Sequence, residues 1–125
     1  MTNGQFKREL EERTLVFSVR LLNYLSILPN KKVFWLITDQ LGRAGTSVGA
    51  NYREANRAES KADFIHKIGV VEKESSETVY WLTILSRVDF LDTALMKEND
   101  LLLKEASELL ALFSTINRKS KLCDS

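Results

Sequence analysis

The sequence predicts an all-α chain folded as an antiparallel up-down-up-down four-helix bundle. Three observations carry this. Only five Gly and one Pro interrupt 125 residues, too few breakers for a turn-rich β fold. Apolar residues recur at spacings of three and four along four long stretches. The links between those stretches are short, which sets consecutive helices antiparallel. With 125 residues and 44% hydrophobic content, one domain spanning 1–125 is expected, long enough to bury its own core.

The first helix is expected over about residues 5–28, with Phe6, Leu10, Phe17, Leu21, Tyr24 and Leu28 on one face. Leu15, Val19 and Leu22 form a second apolar stripe, which one bundle core does not need. Pro29 ends the helix, because the residue before a proline avoids the α region. The second helix is expected over about 31–57, its inner face being Val33, Ile37, Leu41, Ala44, Val48, Tyr52 and Ala55. Gly42, Gly45 and Gly49 lie inside it, each at a cost of ~1 kcal/mol relative to Ala. Close approach of a neighbouring backbone is the structural reason for such glycines; a ligand cleft is the functional one.

Ala58-Glu59-Ser60 is the next turn, and Ser60 with Asp63 three residues on reads as a capping box. The third helix follows over about 61–89, with Phe64, Ile68, Val71, Ser75, Leu82 and Leu85 facing inward. Val70, Trp81, Ile84 and Val88 again make a second stripe. The fourth helix is expected over about 97–118, with Leu102, Ala106, Leu109, Phe113 and Ile116 inside. The polar tail from Arg118 to Ser125 is expected to fray.

Polar residues recur beside the apolar faces of the second and third helices: Ser47, Asn51 and Glu54 on one, Lys67, Glu74 and Thr78 on the other. Polar groups beside a core are costly unless paired, so this seam is a candidate site or a register-fixing network. Hairpin geometry sets residues level where their numbers sum to about 118. That predicts a Glu54–Lys67 pair and a hydrogen bond from Asn51 or Ser47 to Glu74.

Several chemistries are excluded by what is missing. Cys123 is the only cysteine and His66 the only histidine, so a disulfide framework, a His/Cys zinc site and a di-iron bundle lack their ligands. No phosphate-binding glycine loop occurs. No catalytic set, metal or cofactor is therefore expected. His66 with Lys61 resembles the spaced basic-plus-histidine pair of some helical RNases, with Lys in place of their Arg. No apolar run approaches a membrane span and the first residues hold no signal core, so a soluble, cytoplasmic protein without membrane contact is expected.

The net charge is +1, but it is unevenly spread. Residues 1–62 hold 10 Lys/Arg against 6 Asp/Glu, and residues 63–125 hold 8 against 11. Arg43, Arg53, Arg57 and Lys61, with Arg118, Lys119 and Lys121, are the candidate contacts for nucleic acid or another partner. A solvated helix surface explains the same residues without function, and the helix dipole favours cations at the end of the fourth helix.

From Ala44 to Leu85 the residues carry a family likeness. Ser47-Val48-Gly49-Ala50-Asn51, Glu54-Ala55, Ala62-Asp63-Phe64, Lys67, Lys73-Glu74, Glu77-Thr78 and Tyr80-Trp81-Leu82 resemble the bacterial 23S rRNA-intervening sequence proteins, with Val48 where the family's pattern has Ile. The resemblance implies a four-helix bundle that assembles as a homopentamer. The chain is also similar to the accessory protein of diversity-generating retroelements, a pentameric relative that binds nucleic acid and a reverse transcriptase. On that footing, Leu15, Val19 and Leu22 with Val70, Trp81, Ile84 and Val88 are the candidate subunit interface. The expected function is a non-enzymatic, oligomeric scaffold with itself and a nucleic acid or nucleic-acid enzyme as partners. The alternative is a small helical enzyme or RNase-like toxin with a polar pocket between the second and third helices.

Overall fold

The computed structural model describes residues 2–122, in which four helices and no strand occur: α1 (Asn3–Ser26), α2 (Lys32–Ala55), α3 (Lys61–Arg87) and α4 (Thr93–Leu122). Three of the four helices start at a side-chain cap, and α2 starts after Lys31 without one. Thr2 caps α1 in a full capping box: its hydroxyl accepts from the Gln5 N–H at 3.1 Å, and the Gln5 side chain accepts from the Thr2 N–H at 2.7 Å. The helix therefore begins before residue 5, and it stops at Ser26, short of the expected Leu28. α2 ends at Ala55 rather than Arg57, its last carbonyls turning into tight bonds from Arg57 N to Glu54 O and Ala58 N to Ala55 O. Ser60 caps α3 as expected, accepting from the Asp63 N–H at 3.0 Å.

α4 departs most from the sequence expectation. It starts at Thr93 because Asp92 acts as its cap, its carboxylate accepting from the Leu95 N–H at 2.8 Å. It also continues through Arg118 to Leu122, residues expected to fray. The last part of that tail, with Cys123, lies outside the described residues.

The helices close in a ring: each packs on its sequence neighbours, and α1 also meets α4. Contacts across three of the four interfaces run in opposite senses. Between α1 and α4, Arg13 pairs with Glu105 and Glu108, Arg20 with Glu98, and Tyr24 with Asn99. Between α3 and α4, the Leu82 carbonyl accepts from Asn99 and Glu72 from Asn117. Between α1 and α2, Glu11 accepts from Asn56 while Gly45 lies against Leu21. Rising numbers on one helix meet falling numbers on the next, as the antiparallel arrangement requires.

The core runs down the axis. Leu21, Leu41, Ile68, Val71, Leu82, Leu85, Leu102 and Phe113 are fully buried, each such aliphatic or aromatic side chain stabilising by roughly 1.5–3 kcal/mol. Tyr52 and Phe113 meet across it with ring centroids 5.1 Å apart. Two inner-face assignments fail at the bundle ends: Phe6 and Val33 are exposed, and Phe34 takes the buried position at the start of α2. Two of the three glycines of α2 have a packing reason, whereas a Cβ on Gly42 would make only ordinary contact with Leu25. A Cβ on Gly45 would collide with Leu21, and one on Gly49 would sit 2.9 Å from Thr14 Oγ1 and 3.5 Å from the Thr14 backbone. α1 and α2 thus lie close together. On the other flank α1 meets α4 through ion pairs, with Arg13 forked onto Glu105 through two bonds of 2.7 Å.

Candidate functional surfaces

The polar seam between α2 and α3 does not form the network expected of it. Each side chain with a donor turns back onto its own helix. The Ser47 hydroxyl donates to the Arg43 carbonyl at 2.6 Å, the Asn51 amide to the Ser47 carbonyl at 2.8 Å, and the Thr78 hydroxyl to the Glu74 carbonyl at 2.8 Å. Lys67 pairs with Asp63 on its own helix at 3.3 Å instead of with Glu54, which is exposed. Short polar side chains in helices have this backbone option always within reach, and here it wins. Glu74 is left half-buried without a partner among the described residues. Burial, reinforced by Glu77 and opposed by Lys73, pushes its carboxyl above the usual carboxylate range.

The buried polar network lies elsewhere, on α4. Tyr24 donates to Asn99 Oδ1 at 2.9 Å and Asn99 Nδ2 donates to the Leu82 carbonyl at 2.9 Å, joining three helices at one fully buried amide. Asn117 makes a second cross-link, donating to Glu72 at 2.7 Å. Sequence reasoning missed both asparagines. The signal was their position: Asn99 and Asn117 extend the spacing of Leu102, Ala106, Leu109 and Phe113 at either end.

The two second stripes have different fates. Leu15, Val19 and Leu22 are 50%, 54% and 50% exposed on the outer side of α1, a continuous apolar strip with no cover. Beside it, Thr46, Gly49 and Ala50 of α2 line a shallow groove with Leu15 and Ser18. On α3 none of the stripe is fully exposed. Trp81 and Val88 pack against the chain's own core, and Val70 and Ile84 are half-buried. The fully exposed large residue there is Tyr80, stacked edge-on against Trp81 with centroids 5.6 Å apart.

The antiparallel fold gathers most of the candidate cations. The ends of α2 and α4 meet the starts of α1 and α3, so Arg53, Arg57, Lys61, Arg118, Lys119 and Lys121 share one end of the bundle with Lys7 and Arg8. Residues 3–12, 53–67 and 118–121 there hold nine Lys/Arg and six Asp/Glu. Arg53 is engaged by Glu11 at 3.6 Å, and Arg57 donates to the Arg53 carbonyl at 3.0 Å. Arg43 is apart from this group, mid-helix, paired with Asp39 at 3.0 Å. His66 is exposed and has no partner among the described residues. Among those residues no three His, Cys, Asp or Glu side chains come together to hold a metal ion, and no helix is long and apolar enough to cross a membrane.

A family model described as "23S rRNA-intervening sequence protein" matches residues 8–112. The chain belongs to the 23S rRNA-intervening sequence protein family. A crystal structure of a family relative, a protein with unknown function from the S23 ribosomal protein family of Bacteroides thetaiotaomicron, is similar over 86% of this chain and 96% of that one. The two are 34% identical, with a TM-score of 0.75. No curated protein matches the chain. The match to the intervening sequence family covers the α1 stripe and the seam residues, and stops before Arg118.

Proposed function

We propose that this protein is a non-enzymatic scaffold that self-associates through the outer face of α1 and presents its basic end to the phosphates of a nucleic acid. The observation that carries the reading is the uncovered strip Leu15, Val19 and Leu22. Three aliphatic side chains at helical spacing, each half in water, gain roughly 25 cal/mol for every Å² that a partner surface covers. A second copy of the chain is the partner the family resemblance supports, with five copies the implied number. Closed assembly multiplies weak surface charge: several basic ends held together bind a polyanion that one end releases.

The enzyme and toxin readings find less support. The Ser47, Asn51 and Thr78 donors of the seam that was to line a pocket turn onto their own backbone, and His66 has no partner among the described residues. Light scattering with and without RNA tests the proposal. The expected result is a mass about five times 14.3 kDa, rising on addition of RNA and falling back as salt is raised. A monomer that ignores RNA overturns it.

A further inference from the structure

We propose that copies of this chain join head to tail around α1, the α1–α4 edge of one copy seating in the α1–α2 groove of the next; this rests on the self-association read above and specifies how it is built. The middle of α1 is apolar nearly all round. Leu15, Val19 and Leu22 face away from the core, and Val16, 54% exposed, carries the apolar surface on toward α4. There Val16 borders the same small cleft as Leu101, which is 45% exposed. A helix apolar on its flanks as well as its core face belongs inside a larger assembly, covered from more than one side.

The two flanks differ in shape and match in height. On the α2 side the groove is walled by Leu15 and the small side chains of Ser18, Thr46 and Ala50. On the α4 side Val16 and Leu101 stand out as a ridge. Gly45 lies against Leu21 and Gly49 against Thr14, so the α2 wall of the groove is level with residues 14–21 of α1. Arg13 pairs with Glu105 and Arg20 with Glu98, which sets Leu101 level with α1 between residues 13 and 20. Rotation without a rise therefore carries the ridge of one copy into the groove of the next, as a closed ring requires. A two-fold dimer sets groove on groove or ridge on ridge and leaves the hollow unfilled. Charge follows the same order. Arg8 and Arg53 border the groove side beyond Leu15, with Glu11 already engaging Arg53 and Glu12 lying between the flanks. On the ridge side, Glu9 is exposed two turns before Val16 on the same flank, and Glu108 keeps half its side chain in water beyond its bond to Arg13. Arg8 and Glu9 have no partner among the described residues, and neighbouring copies supply each with one.

The test uses the full chain with Cys123→Ser, to which Ala50→Cys in the groove, Leu101→Cys on the ridge, or both are added, followed by a short bismaleimide. Both positions are exposed, α1 stands between them within one chain, and circular dichroism checks that the variants keep their helices. The double variant is expected to give a ladder of products at successive multiples of 14.3 kDa on a denaturing gel. Each single variant is expected to stay at one chain, and a mixture of the two to stop at two chains. Light scattering of the same samples before cross-linking shows whether copies associate at all. Single variants that link to themselves, or an assembled double variant that gives no ladder, overturn the pairing of flanks and leave self-association standing. A monomer at every concentration overturns self-association and the pairing with it, and leaves this face to a different protein.

Discussion

A methyl group on Gly49 would lie 2.9 Å from the hydroxyl oxygen of Thr14, so the closeness of α2 to α1 is written into one missing Cβ. Thr14 is itself buried, its hydroxyl donating to the Glu11 carbonyl at 2.8 Å. The helix penalty of the glycine is offset by contact along both helices.

The glycines of this chain consequently respond to alanine with opposite signs. Gly45→Ala drives a methyl into the fully buried Leu21 and is expected to destabilise by about 1–3 kcal/mol. Gly69→Ala on α3 meets nothing within 4 Å and is expected to stabilise by up to about 1 kcal/mol through helix propensity. Urea midpoints of the two variants check both signs.

Asn99 is expected to be the most sensitive polar position. Asn99→Ala strands the Tyr24 hydroxyl in the core and opens a small cavity, at a cost of about 2–3 kcal/mol. Burial first, then Glu98 and Asp100, holds the Tyr24 hydroxyl protonated, so it is a donor at any working pH. Tyr24→Phe is expected to cost about 1 kcal/mol. The double variant should cost less than the sum of the two, because each single change leaves the other partner unpaired. Additive losses in a thermal or urea cycle would count against this network.

The helices were legible because the core faces of α2, α3 and α4 keep a strict helical period and few breakers compete with it. The Asp92 cap was equally present in the sequence, and Leu91 and Leu95 carry the inner face of α4 back to it, but the polar Asn99 interrupts that period before Leu102. The seam failed for a different reason. Sequence places Ser47, Asn51 and Thr78 on the right faces but does not say whether a side chain reaches across to the next helix or back to its own carbonyl. The stripe on α3 is divided by bundle width: Trp81 and Val88 reach the core from a flanking position, while Val70 and Ile84 stay half-buried. The gathering of cations at one end follows from topology, which the link lengths had implied.

Acid is expected to act on two carboxylates in opposite ways. Glu98 is held below the usual range by hydrogen bonds from Arg20, so its stabilisation is present at neutral pH and lost as pH falls through the depressed value. Glu74 is raised by burial, so it weakens the fold at neutral pH, and that cost vanishes as pH falls through the raised value toward the ordinary one. Glu98→Gln should therefore destabilise and Glu74→Gln stabilise at pH 7. Each effect should be under about 1 kcal/mol given the exposure of the Arg20–Glu98 pair and of Glu74. Both differences from wild type should close below the ordinary carboxylate range, and urea titrations at neutral and acid pH measure this.

The last prediction separates the two apolar stripes. Val19 is 54% exposed and touches no core cluster, so Val19→Glu leaves the fold of one chain intact. If α1 carries the contact between copies, the charge is buried in each interface without a partner and association is lost. Trp81 packs on the core and donates through its indole N–H to Glu77 at 3.3 Å. Trp81→Glu removes that packing and sets two carboxylates side by side, so the fold itself suffers, by less than the roughly 3–5 kcal/mol of a fully buried aromatic because Trp81 is only partly buried. The two variants are told apart by pairing light scattering with thermal melting. Val19→Glu should lower the mass and keep helical content, whereas Trp81→Glu should lower the melting temperature whatever its mass. Val19→Glu with unchanged mass would remove α1 as the contact, and a Trp81→Glu variant as stable as wild type would return α3 to the surface.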